Sequence, residues 1–243
     1  MSASATAARG NALVFILVAI ALIAALTYTL MRSDATDADA VAPEQAKIMA
    51  SQILSQARNL EQAAKTLQSR GCSEGGISFE NAVAAGYANA NAPGDKSCHV
   101  FEREGSGLAW PVAPANANDG STWRILAGDA VTGVSQLDDP SACAAGCIDP
   151  LAVLPNVNVI VCQQINALLG VTSSTAAPPI DSGNFDGTSK WTDTGFDPAA
   201  AGVAVGDVGL VLSGKPAGCF EATNVDGVPS AGTYWFYQVL LTR

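Results

Sequence analysis

The chain has 243 residues, and 22 acidic side chains against 12 basic ones leave a formal charge of −10. The only charged residues before Asp34 are Arg9 and Arg32, so every acid and 10 of the bases lie beyond them. That acidic remainder repels phosphate backbones and has no basic stripe to gather them, which argues against nucleic acid as a partner. Its charge suits an exported surface that must stay in solution.

Residues 1–10 end in Arg9-Gly10, and from Ala12 to Met31 twenty residues follow without a charge. At 1.5 Å per residue, a helix of that length spans roughly 30 Å, the thickness of a bilayer's hydrocarbon core. Arg9 and the free amine precede the segment while Arg32 follows it, so charge alone orients it only modestly. All six cysteines lie beyond it. Their export to an oxidising space places the N-terminus in the cytoplasm and the bulk of the chain outside. Three readings compete for the segment. A cleaved secretory signal would use Ala38-Asp39-Ala40, but the apolar region of such signals usually runs about 7–15 residues. A plain signal anchor is the second reading. In the third, the helix is held in the membrane first and later packs against helices of its own kind.

Arg9-Gly10-Asn11-Ala12-Leu13 sets a short leader, ending in a basic residue and a glycine, directly before the apolar run. In this the chain resembles the type IV pilin-like and pseudopilin family, whose leaders are cut after the glycine by prepilin peptidase on the cytoplasmic face. The resemblance covers the leader and apolar run strongly, and the helix that follows more loosely. It implies cleavage between Gly10 and Asn11 and a filament-core helix over residues 11–32. Leu13, Phe15, Ile16, Ile20, Ile23 and Leu26 would pack there against other pilin-like subunits, after a stay in the inner membrane. Phe15 departs from the family pattern, because major pilins carry a glutamate five residues after the cut. A carboxylate in an apolar core is costly unless paired, and its absence removes a contact that registers neighbouring subunits. Phe15 therefore turns the resemblance toward a minor or atypical subunit, or toward an anchor that never polymerises.

Residues 33–42 are acidic and small, poor helix material, and read as a hinge; Pro43 ends them. The stretch 43–70 reads as one long amphipathic helix. Pro43 suits its first position and Glu44 the positive end of its dipole. Ile53, Ala57, Leu60, Ala64 and Leu67 recur on one face, and Gly71 is placed to cap the C-terminus.

Residues 71–243 form the head, long enough for one core of ordinary size. Six cysteines allow 15 connectivities, and pairing each with its nearest in context gives Cys72–Cys98, Cys143–Cys147 and Cys162–Cys219. Trp123–Ala127 and Val131–Val134 read as short strands, and residues 140–155 as a loop clipped by Cys143 and Cys147. Asn158 to Leu169 reads as a helix with Asn158 as N-cap and Gly170 past its end. Its spacing puts Cys162, Ile165 and Leu169 on one face. Residues 173–202 read as an exposed loop excursion. Strands are expected at Val208–Leu212, Gly218–Thr223 and from Tyr234 onward, with Asp226-Gly227 as a turn between the last two. The fold class is α+β: a long N-terminal helix, half membrane and half amphipathic, with a disulfide-bonded head containing a small antiparallel sheet.

No catalytic constellation stands out, and the chain reads as a protein that is not an enzyme. His99 is the only histidine, no G-x-S-x-G marks a nucleophile, and phosphate-binding and dinucleotide fingerprints are missing. No cofactor is expected. A weak calcium candidate, formed by Asp181, Asn184, Asp186 and Asp193, competes with the plainer reading of an Asx-rich surface loop. The function implied by the resemblance is a structural subunit of a pilus-like filament, displaying its head outside the cell or in the periplasm. The alternative is a signal-anchored binding module of the periplasm or cell surface that does not polymerise.

Overall fold

A computed structural model describes residues 16–23, 41–134, 148–181, 189–192, 203–205, 211–223 and 229–242. The chain divides into two compact units, Met1–Ala40 and Val41–Arg243. In the first, residues 16–23 are helical, and all eight side chains, apolar throughout, are exposed. Among the described residues no helix is long and apolar enough to cross a membrane. The rest of the expected span, including Leu13, Phe15 and Leu26, lies outside them, as do the leader and residues 33–40 of the hinge.

The second unit is mixed helix and sheet. Helix α1, Pro43–Ser69, starts with proline at its first turn and Glu44 beside the exposed N–H groups. Ile53, Ala57, Leu60, Ala64 and Leu67 are all fully buried. The helix is thus the spine of this unit's core rather than a stalk beneath it. At its end Gly71 takes a φ of +97°. Its N–H bonds the carbonyl of Gln68, and the Cys72 N–H bonds that of Leu67, a Schellman cap that uses the glycine's freedom at positive φ.

Among the described residues, seven strands follow in two sheets. They are β1 (Arg124–Leu126), β2 (Asp129–Val131), β3 (Leu151–Leu154), β4 (Ile180–Asp181), β5 (Val203–Val205), β6 (Ala217–Ala222) and β7 (Tyr234–Val239). The main sheet has the order β1-β3-β7-β6-β4, and β2 pairs with β5 in a second. The expected antiparallel sheet is formed by β1, β3, β7 and β6, while β4 joins it parallel to β6 and β2 pairs parallel with β5. Side chains alternate between the faces of the main sheet. Ile125, Ala152, Leu154, Cys219 and Phe236 join the core that α1 fills, while Leu151, Val153, Phe220, Trp235 and Tyr237 form a second cluster with Val131 and Leu212. With both faces covered, β3 is a continuous apolar run.

Other expectations also shift. The strand placed at Val131–Val134 ends at Val131, because Thr132–Val134 turn. The expected loop of 140–155 contains β3, one of the sheet's inner strands. Leu212 sits in a bend, and 206–210, like the Asp226-Gly227 turn, lie outside the described residues. The loop excursion of 173–202 contributes β4 and the fully buried Trp191.

Helix α2, Val159–Leu169, matches its expected bounds. The Asn158 carboxamide oxygen accepts the Ile160 N–H, and Gly170 closes the helix at φ +68°. Cys162 and Ile165 are fully buried, and Cys162 is bonded to Cys219 of β6. One turn on, Asn166 extends that link. Its Nδ2 donates to the Cys219 carbonyl at 2.7 Å and its Oδ1 accepts the Cys219 N–H at 2.9 Å. A side-chain amide thereby takes the place of a neighbouring strand on the stretch of β6 that β4 does not reach.

Candidate functional site

The segment from Cys72 to Thr122 has little regular structure, and its order comes from tethers. The cap of α1 delivers Cys72 to Cys98. Ser78 and His99 form a parallel bridge, in which the Ser78 N–H bonds the Cys98 carbonyl and the Val100 N–H bonds that of Ser78. The Asn89 amide donates to the carbonyls of Gly75 and Ile77, both at 2.9 Å. Trp191 adds its indole N–H to the Ile77 carbonyl at 3.0 Å.

A chain of aromatic rings runs outward from that anchor. Phe79 meets Trp191 edge-on at 6.3 Å and Phe101 at 6.4 Å; Phe101 meets Trp110 at 5.0 Å, and Trp110 meets Tyr87 at 5.7 Å. The Tyr87 hydroxyl accepts the Ile125 N–H of β1 at 3.0 Å. Burial pushes the Tyr87 phenol above its ordinary value, against the opposing effects of that hydrogen bond and Arg124. These contacts fix Trp110 at the head of the stretch Pro111–Thr122.

That stretch encloses a cleft of about 400 Å³, lined also by Val83 and Trp110. Its volume falls within the usual range of ligand sites. Val83, Trp110, Pro111, Val112 and Pro114 supply apolar surface, with Val112 76% exposed. Asn116, Asn118, Asp119, Ser121 and Thr122 supply polar groups, and among the described residues no lysine, arginine or histidine lines it. The lining is stapled to the rest of the unit. Gln56 of α1 donates to the Val112 carbonyl at 2.7 Å. Asn118 donates to the carbonyls of Ser121 and Pro155, and the Asn158 N–H bonds the Ala117 carbonyl at the start of α2.

Asp119 is held by the Ser121 N–H at 2.9 Å and by the Asn156 amide at 2.8 Å. Burial pulls its carboxyl upward, but the Ser121 hydroxyl, the Ser121 N–H and Asn156 outweigh it and hold the group below the ordinary aspartate value. Asn116 and Asn156 both adopt positive φ, +65° and +52°, conformations uncommon outside glycine that asparagine tolerates best. The Trp110 Nε1 is buried and has no hydrogen-bond partner among the described residues, although buried donors are nearly always satisfied. A second depression of about 370 Å³ shares Asp119 and is otherwise lined by Asn156, Val157, Gly232, Thr233 and Tyr234.

The residues singled out in the sequence are distributed elsewhere. Ile16, Ile20 and Ile23 are exposed on the short helix of the first unit, 58–66% accessible. Gly10, Asn11, Leu13, Phe15 and Leu26 lie outside the described residues. Two cysteine pairs are those expected, Cys72–Cys98 and Cys162–Cys219; Cys143 and Cys147 lie outside. Of the calcium candidates, Asp181 is buried in β4, where its carbonyl accepts the Thr223 N–H, so it is no part of an open loop. Asn184, Asp186 and Asp193 lie outside the described residues. Among those described, no group of three or more His, Cys, Asp or Glu is arranged to hold a metal ion. His99 is buried, its Nδ1 4.0 Å from the Glu80 carboxylate.

The sequence reading passed over the cleft. Its signal was the run Trp-Pro-Val-Ala-Pro-Ala-Asn-Ala-Asn-Asp-Gly-Ser-Thr at 110–122, where prolines and asparagines favour turns behind one large aromatic residue. Comparison with protein-family models, with characterised proteins and with solved structures returns no match for this chain.

Proposed function

We propose that this protein is a structural subunit of a type IV pilus-like or pseudopilus filament, assembled through its N-terminal apolar segment with the disulfide-bonded unit displayed on the outside. The observation that carries the reading is the uncharged run Ala12–Met31 directly behind Arg9-Gly10. Leader processing at that junction leaves the apolar segment on the mature chain, where it can hold the protein in the inner membrane and later pack against copies or relatives of itself. An ordinary secretory signal discards its apolar region. The two disulfides support an oxidising compartment for the second unit, extracellular or periplasmic. Phe15 in place of the customary glutamate favours a minor or atypical subunit.

In vivo cross-linking tests the assembly step. With Ile20→Cys in the full chain, a thiol-specific cross-linker should yield covalent products joining this subunit to itself or to another pilin-like subunit. A chain that stays monomeric and membrane-bound across a scan of residues 13–26 is a plain anchor, and the filament reading fails.

A further inference from the structure

We infer that the outward face of α1 docks the acidic segment 74–104 of a second copy of this chain. The inference deepens the filament reading and rests on it for bringing copies side by side.

Charge is divided unevenly along the second unit. From Pro43 to Arg70 there are four bases and two acids, whereas residues 71–243 hold 17 acids and six bases. The helix is therefore a basic strip on an acidic unit.

On α1 the cations fall into one row. Lys47 and Arg58 lie eleven residues apart in the sequence, close to three full turns, so they share a face at a separation of about 16 Å. Both are exposed, as are Ser51, Ser55, Gln62 and Ser69 beside them. Neither cation has an ion-pair partner among the described residues, so the acids of the same copy do not reach them. Lys65 continues the row, but Glu61 neutralises it. The second Glu61 oxygen accepts the Gln238 amide at 3.1 Å, which ties that carboxylate at both ends and leaves Arg58 uncompensated.

Opposite charge gathers elsewhere on the same unit. Segment 74–104 carries five acids against Lys96 and Arg103. Lys96 donates to Glu102, and Glu102, Glu80 and Glu104 together raise its ammonium above the ordinary lysine value. Three carboxylates thus crowd around one lysine. The side chains of Glu80 and Glu102 are 55% and 39% accessible, and Glu104 is exposed. The Cys72–Cys98 bond and the Ser78–His99 bridge hold the segment in shape, so little has to be ordered when a partner arrives.

The number of cations narrows the occupant. Recruitment to an anionic lipid surface takes clusters of about four to eight basic residues, and firm nucleic-acid binding takes about six to ten phosphate contacts. Two uncompensated cations three turns apart suit a few carboxylates on a protein. Two acidic units repel one another unless a basic face of one meets an acidic patch of the other. Because the two patches are different surfaces, the contact is heterologous and repeats from copy to copy in an open row. Each contact is weak alone and is reinforced by the millimolar effective concentration of neighbours already held together.

The test is sedimentation velocity on the full chain in a non-ionic detergent at about 0.2 mM protein. Self-association should weaken about tenfold or more between roughly 20 and 500 mM salt. Lys47→Glu combined with Arg58→Glu should abolish it, and so should Glu80→Lys combined with Glu104→Lys, because each sets like charges against each other. Mixed in equal amounts, the two reversed chains should associate again, since every contact then joins opposite charges. An unchanged near-ultraviolet circular dichroism spectrum establishes that each variant is intact; where a reversal alters it, the glutamine replacements at the same positions carry the test by weakening association. The proposal is overturned if the parent shows no salt-dependent association, if either reversed chain associates alone as the parent does, or if the folded mixture fails to associate. It is also overturned if reversing Lys47 and Arg58 weakens only binding to phosphatidylglycerol vesicles, which would assign the face to lipid. Cross-linking at Ile20→Cys reports on the apolar segment alone, so a filament reading that fails there is told apart from a charge contact that fails here.

Discussion

Replacing Asn166 by alanine should be among the most damaging single changes in the second unit, although the residue belongs to no ligand site. Asn166 is wholly buried, and both of its polar atoms bond the backbone of Cys219. Alanine leaves that N–H and that carbonyl without partners beneath α2. An orphaned buried polar group costs about 1–3 kcal/mol, so the pair costs about 4 kcal/mol at mid-range. For a domain of this size each kcal/mol lowers Tm by about 2–4 °C, giving a fall of roughly 8–16 °C. All four tryptophans lie in the second unit, so urea unfolding of the full chain followed by tryptophan fluorescence reports on it directly. Asn166→Asp keeps the acceptor but loses the donor and sets a carboxylate against the Cys219 carbonyl, so it should be at least as destabilising. An alanine variant within about 1 kcal/mol of the parent would mean that water or a backbone shift satisfies Cys219 equally well. The account of the strand edge would then be wrong.

Glycine substitutions should separate strain from collision. Gly71→Ala has open space around its new Cβ and should cost only the backbone strain of positive φ, about 1–2 kcal/mol by urea unfolding. Gly105→Ala would put its Cβ 1.8 Å from the His99 carbonyl oxygen, and should cost about 3 kcal/mol or more or abolish folding of the segment. Removing the Cys162–Cys219 bond with paired serines opens a loop with a sequence separation of 57 residues, for which chain entropy gives a loss of about 4 kcal/mol in the same assay. High pH should also destabilise the unit. Burial holds Tyr237 well above its ordinary value, with Asp181 adding to the effect, and burial likewise raises Tyr87. The folded state therefore keeps protons that the unfolded state loses, so stability is full below about pH 10 and falls as pH rises beyond it. Absorbance titration should find these phenols ionising together with unfolding rather than before it.

Local chemistry explains which parts of the fold were legible in the sequence. Helix α1 announces itself through Pro43, a buried stripe of five residues and Gly71, and α2 through Asn158 and Gly170, because caps and periodicity act over a single turn. Strand β7 is legible through the aromatic run Tyr234-Trp235-Phe236-Tyr237, which favours extended backbone. The pairs Cys72–Cys98 and Cys162–Cys219 agree with pairing by nearness, but six cysteines allow 15 connectivities and nothing local in the sequence selects one. Strand β3 was hidden because Leu-Ala-Val-Leu between Pro150 and Pro155 shows no alternation when both faces are buried. The buried position of Trp191 and the parallel pairing of β4 depend on contacts with residues far away in sequence, which composition does not encode. The cleft was missed for the opposite reason. Its residues look like an ordinary turn-rich loop until the aromatic chain from Trp191 to Trp110 and the bonds to Gln56, Pro155 and Asn158 give that loop a fixed shape.

Whether the chain is a processed filament subunit is decided by the N-terminus of the mature protein. Purified from membranes and sheared cell-surface material, it should begin at Asn11 by N-terminal sequencing, with an intact mass lacking residues 1–10. A Met1 or Ser2 start in all fractions would mean an uncut anchor, and a start near Val41 would mean an ordinary cleaved signal. Either result contradicts the account.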